Sequence, residues 1–152
     1  MDSGEADNEA TSRLGAVQEN ANLGKALTRL DAKASKTVEG WSLIATAVSW
    51  QTKVPVEVLK KQRSMSGLTY GQLLVANSLA SGSGKSFEQI LVLRAKSRNW
   101  SHLAEDLDIS IKSIVGRLDA AGQSIKYAEY RRKIRREQNF KETDFQRDPR
   151  GG

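Results

Sequence analysis

The chain has 152 residues, one histidine, no cysteine, and 24 Lys and Arg against 18 Asp and Glu, a net charge of +6. That length predicts one compact domain. The missing cysteines exclude a disulfide frame and a thiolate metal site, one imidazole is too few for zinc, and no apolar run approaches the roughly 20 residues of a membrane span.

Residues 1–13 (MDSGEADNEATSR) hold four acids, one base and no large apolar residue after Met1. Such a segment buries too little to offset the entropy of ordering it, so disorder is expected. Its first ten residues lack the basic-then-apolar plan of a signal peptide. Two locations stay open: the cytoplasm, or export with the signal already removed. The folded domain is expected over 14–138. It opens on 23–36 (LGKALTRLDAKASK), where Leu23, Ala26, Leu27 and Leu30 share one helix face and predict packing on the first hairpin of the domain.

A period near 30 residues comes next, over 40–67, 69–98 and 99–122. Each segment opens with an aromatic, Trp41, Tyr70 or Trp100. A Ser or Gly comes after it, and apolar residues fall at offsets +3 and +4: Ile44 and Ala45, Leu73 and Leu74, Leu103 and Ala104. Offsets 0, +3 and +4 lie on one helix face. Each first helix leads through a polar turn to a second, starting at Pro55, Ser86 or Ser110. Pro is tolerated in a first turn, where its missing N–H has no partner to lose. Thr69 with Gln72 and Ser86 with Gln89 have capping-box spacing. The second helices present Val56 and Leu59, then Phe87, Ile90 and Leu91, then Ile111, Ile114 and Leu118. Arg63 and Arg94 occupy matching places in the first two. The expected fold is therefore all-α, a compact array of seven or eight short helices built from three hairpins that bury each other's apolar stripes.

Between the second pair lies SGSGKS (81–86). A phosphate loop needs Gly-x-x-x-x-Gly-Lys-[Ser/Thr] after a strand. Leu79 stands where the first glycine belongs, and the preceding segment reads as a helix. These glycines are expected to end one helix and turn into the next.

The third segment, NWSHLAEDLDISIKSIVGRL (99–118), resembles the helix-turn-helix of bacterial regulators. Ala104 is the small residue at the helix contact, Asp108 sits at the left-handed turn position, and Ile109 and Ile114 fill inner positions. Its outward side chains are Ser110, Ile111, Lys112, Ser113, Val115, Gly116 and Arg117. Lys112 and Arg117 suit phosphates, whereas Val115 and Gly116 offer nothing to base edges. His102 stands three and four residues before Glu105 and Asp106. An exposed histidine beside acids is ordinary on a helix, and no constellation of catalytic groups is present.

Gly122 is expected to break the chain before a last helix, 124–138 (SIKYAEYRRKIRREQ). Residues 131–136 hold five bases in six positions. Lys126, Arg131, Arg132, Lys133, Arg135 and Arg136 make this the most basic segment, suited to an anionic partner. Tyr127, Tyr130 and Ile134 share a face that serves either the chain's own core or a partner helix. Residues 139–152, with Pro149 and two terminal glycines, are expected to be a disordered tail.

Residues 67–109 also resemble a group of uncharacterised small bacterial all-helical proteins. The matching residues are Tyr70-Gly71, Leu79-Ala80, Gly84-Lys85-Ser86-Phe87-Glu88, Ile90, Trp100-Ser101 and Leu103-Ala104. Arg98-Asn99 departs from the Gly common before the Trp in that group. The resemblance implies an exported helical protein and carries no activity. The sequence thus predicts a non-catalytic binding or scaffolding module, without cofactor or metal. Its expected contact is an anionic macromolecule or surface, nucleic acid included, through 124–138. The alternative is a helix-turn-helix DNA binder using 99–118.

Overall fold

A computed structural model describes the backbone of residues 3–36 and 40–146 and the side chains of 15–36 and 40–140. The described residues form seven α-helices and no strand: α1 (Ser3–Ser35), α2 (Gly40–Thr52), α3 (Val56–Ser66), α4 (Tyr70–Ser83), α5 (Phe87–Lys96), α6 (Trp100–Asp106) and α7 (Ile111–Gln146). The fold is all-α, and the helix pairs α2–α3, α4–α5 and α6–α7 fall on the three segments of similar length.

Local chemistry sets the boundaries. Thr69 Oγ1 accepts from the Gln72 N–H at 3.2 Å while Gln72 Oε1 accepts from the Thr69 N–H at 3.0 Å. Ser86 and Gln89 repeat the arrangement at 3.1 and 2.9 Å. Each box satisfies two backbone donors that a helix start leaves open. Thr69→Ala should therefore cost about 1 kcal/mol. Urea unfolding should show the loss, and Thr69→Ser should restore most of it. Pro55 and Ser110 precede α3 and α7 rather than opening them. Gly67 and Gly84 end α3 and α4 at φ of 72° and 73°, where a Cβ is strained. In the SGSGKS segment the Gly84 N–H returns to the Ala80 carbonyl, so the glycines serve a helix stop.

Packing centres on α4. Every residue from Tyr70 to Leu79 except Gln72 is buried, as expected of a helix enclosed on all sides. It touches α1, α2, α3, α5 and α7. The offset pattern holds inside: Ile44, Ala45, Leu73, Leu74, Leu103 and Ala104 are all buried. Helix α2 also lies directly against α7, so the first and third pairs meet around α4. An open solenoid, in which each repeat touches only its neighbours, has no such contact. The buried pair Leu23 and Leu30 fixes the inner face of α1, which runs alongside α7 in the same direction. Arg29 meets Asp119 at 3.2 Å, and Lys33 Nζ donates to the Gly122 carbonyl at 3.2 Å.

The small residue after two of the aromatics has a cause in α1. Asp31 Oδ1 accepts from the Gly71 N–H at 3.1 Å, and a Cβ on Gly71 would press on Asp31 and Leu27. The buried Ser101 donates to Asn20 Oδ1 at 3.0 Å. Helix α1 thus crosses the starts of α4 and α6 closely, and a large side chain at either place would push it away.

Three expectations change. The break at Gly122 is absent: one helix runs from Ile111 to Gln146, so 124–138 is its middle and not a separate element. A glycine inside a helix costs only about 1 kcal/mol relative to alanine. Here it also admits Lys33, whose Nζ lies 3.0 Å from where a Cβ would stand. Two of the seven helices are consequently long, 33 and 36 residues, rather than short. Trp41 is not a buried equivalent of Tyr70 and Trp100; it is 42% exposed against 6% for each of the others. Of the tails expected to be disordered, 1–13 and 139–152, residues 1–2 and 147–152 lie outside the described residues. The described backbone there, 3–13 and 139–146, continues α1 and α7. Extending an existing helix adds one hydrogen bond per residue fixed and needs no core.

Candidate functional site

Two surfaces emerge from the sequence, one at each end of the third helix pair and its continuation. The first is the α6–turn–α7 unit. Asp108 takes φ 57°, the left-handed conformation assigned to it. The turn is closed by the Ile109 N–H donating to the Ala104 carbonyl at 2.8 Å. Trp100, Ala104 and Ile114 are buried, and Ile109 packs half-buried on the core. Asn99 stands where glycine is common in the resembled group, and its Oδ1 accepts from the His102 N–H at 2.8 Å. A capping side chain replaces the glycine, so the departure keeps the helix start intact.

The reading face of this unit is poor in cations. Arg117 is half-buried and donates to Ser78 Oγ at 3.2 Å, which ties it to α4 instead of presenting it to phosphates. Lys112 is exposed, but the hollow around it is lined by Glu19, Glu105 and Asp108 together with Ile109, Ser110 and Ile111. Three carboxylates around one ammonium repel a polyanion at the place where a recognition helix would enter the groove. His102 Nδ1 meets Asp106 Oδ2 at 3.3 Å on an exposed helix face.

The second surface is the far half of α7. Among the described side chains of this helix the last buried one is Ile125. From Lys126 to Phe140 every side chain is exposed or half-exposed. Six bases, Lys126, Arg131, Arg132, Lys133, Arg135 and Arg136, face one acid, Glu129, over 126–136. Lys126, Arg131, Lys133, Arg135 and Arg136 are exposed, and Arg132 is half-buried. All six sequence-nominated bases of 124–138 therefore stand on one stretch of about 15 Å, at 1.5 Å per residue. Lys112 and Arg117 lie at the other end of the helix and do not join them.

The Tyr127-Tyr130-Ile134 stripe is not core. Tyr127 and Tyr130 are 62% and 60% exposed, and Ile134 is half-buried. The reason is angular. At about 100° per residue, Ile134 lies nine residues and half a turn from Ile125, and Tyr130 the same from Ala121. Ile125 and Ala121 face the core, so the stripe faces away. The Arg131 guanidinium sits 5.8 Å from the Tyr127 ring centroid, within the range of a cation–π contact.

Sequence reasoning matched Arg63 with Arg94 but gave them no task. Each covers the aromatic that opens the next helix pair. Arg63 lies 5.1 Å from the Tyr70 ring centroid and 4.8 Å from that of Trp41, and Arg94 lies 5.1 Å from that of Trp100. Trp41 and Tyr70 are themselves 6.3 Å apart. The signal was available: an arginine seven or six residues before each aromatic. Its reading as a lid needed the return of the chain, which spacing alone does not give. No family model matches the chain, and no curated protein or solved structure matches it.

Proposed function

We propose that the protein is a non-catalytic helical module that binds an anionic partner through the far half of α7. One observation carries this reading: among the described side chains beyond Ile125, 126–140, none is buried, yet the helix holds six bases against one acid over 126–136. A charge run on a helix that also packs a core is explained by solvation of its outer face. Here the inner face is slight, with Ala128, Arg132 and Ile134 half-buried and the other side chains of 126–136 exposed. The aromatic–arginine lids and the buried α4 belong to packing, and the module offers them as scaffold.

A helix-turn-helix DNA reader using 99–118 is the second reading. The left-handed Asp108 and the buried Ala104 and Ile114 favour its geometry. The carboxylates around Lys112 and the engagement of Arg117 weigh against its use on DNA.

Titration of a random-sequence duplex at several salt concentrations separates the two. Binding through α7 should weaken steeply with salt and show little sequence preference. Replacing Lys126, Arg131, Lys133 and Arg135 together by Gln should lower the slope of log K against log salt by about 3 to 4 if all four contact phosphates. Unchanged binding in that variant, or a tight sequence-specific site lost on replacing Lys112, would overturn the proposal.

A further inference from the structure

We infer that the partner of this surface is a single-stranded nucleic acid, whose bases stack on Tyr127 and Tyr130 while its phosphates meet the flanking cations of α7. The inference rests on the anionic-partner reading and narrows it to one chemistry.

The starting point is an anomaly of placement. Two tyrosines three residues apart, 62% and 60% exposed, stand on the face turned away from the core, between Lys126 and the cluster of five bases over 131–136. Phosphate attraction alone does not call for them. Successive ring positions on this face are about 4.5 Å apart along the axis, at 1.5 Å per residue. That exceeds the roughly 3.4 Å step of stacked bases in a duplex, so a strand that reaches both rings does so partly unstacked. Lys126 and Lys133 lie on one side of the stripe and Arg131 on the other, by their angles around the helix. Arg131 stands over one face of the Tyr127 ring, 5.8 Å from its centroid, and the tyrosine side chain is exposed enough to offer the other face to a base. A base laid on that ring brings its own phosphates to the cations on both margins. Base stacking on exposed aromatics with a cationic margin is how single strands are held without sequence preference.

Other occupants fit less well. A duplex keeps its bases paired and stacked inward, so it engages the cations and leaves the rings idle. A membrane surface asks for a broad apolar face. The described stripe has three side chains, two of them carrying hydroxyls, and Glu129 and Glu137 stand on the same stretch. A second copy of the chain would set like charges against each other along the whole contact. Charge complementarity therefore selects a polyanion, and the rings select one with free bases.

The test is fluorescence anisotropy with a labelled thymidine strand of about 15 nucleotides, within the range of known single-strand site sizes, a random duplex, and vesicles of phosphatidylglycerol and phosphatidylcholine. Tyr127→Ala with Tyr130→Ala should weaken single-strand binding by at least about tenfold. The same variant should leave duplex binding within about twofold, since the cations that set duplex affinity remain. Tyr127→Phe with Tyr130→Phe should keep single-strand binding, because the ring and not the hydroxyl does the stacking. Both tyrosines are exposed, so circular dichroism should be unchanged in all variants. Equal loss on strand and duplex, no loss on either, or loss confined to the vesicles would each overturn the inference. The underlying reading fails differently: there the charge-neutralised variant binds every polyanion as the wild type does.

Discussion

Replacing Leu74 by Ala should lower the free energy of unfolding by about 4 kcal/mol. The side chain has no exposed surface and sits in α4, the helix enclosed by α1, α2, α3, α5 and α7. Truncation removes buried methyl groups and leaves a cavity, because five surrounding helices cannot all move inward together. A small domain has only about 5–15 kcal/mol in total, so the loss is a large share. Equilibrium urea unfolding should show a lower midpoint with the slope unchanged, the signature of lost stability in an unaltered two-state transition. Leu74→Met, which keeps the volume, should cost less than about 1.5 kcal/mol. If Leu74→Ala and Leu74→Met prove equal, α4 is not the enclosed centre of the fold.

Gly40→Ala should cost about 3 kcal/mol, more than any cap in the molecule. Gly40 is buried at the start of α2, and a Cβ there would overlap the carbonyl oxygen of Ala34 in α1. The obstacle is backbone and not the tip of a flexible side chain, so α1 and α2 must separate to admit one methyl. Gly24→Ala gives the contrast. Gly24 is exposed in α1 with nothing near its missing Cβ, and the change should stabilise by about 0.5–1 kcal/mol through helix propensity. Thermal unfolding of the two variants should move in opposite directions. Similar shifts would mean that the close approach of α1 and α2 is not rigid.

What the sequence made legible is local. The boxes at Thr69 and Ser86, the stop at Gly84 and the left-handed Asp108 each depend on atoms within about five residues, so spacing alone reveals them. The offsets that bury Ile44, Leu73 and Leu103 are read equally well, because one helix face needs no knowledge of its neighbour. Properties that depend on distant segments were not legible. Nothing near Gly122 announces that Lys33 will bond its carbonyl, and without that contact the glycine reads as a break. Nothing near Arg117 announces Ser78, so the guanidinium reads as outward. Trp41 stays 42% exposed although Arg63 and a tilted Tyr70 lie against it, a difference from Tyr70 and Trp100 that the shared spacing does not reveal. For the candidate site the composition of 126–136 was plain, but the face of the tyrosines was not. The stripe matched either a core or a partner, and the end of burial at Ile125 rules out the core.

The continuity of α7 has a mechanical consequence. One unbroken rod joins the body of the protein to the far half of the helix, with no joint between them. Under the proposed function, a polymer bound there would be held at a fixed azimuth and a fixed stand-off from the body, and turning it would mean turning the whole molecule. One residue inserted after Ile125 would swing the tyrosines about 100° around the axis while leaving every buried residue of α7 up to Ile125 in register.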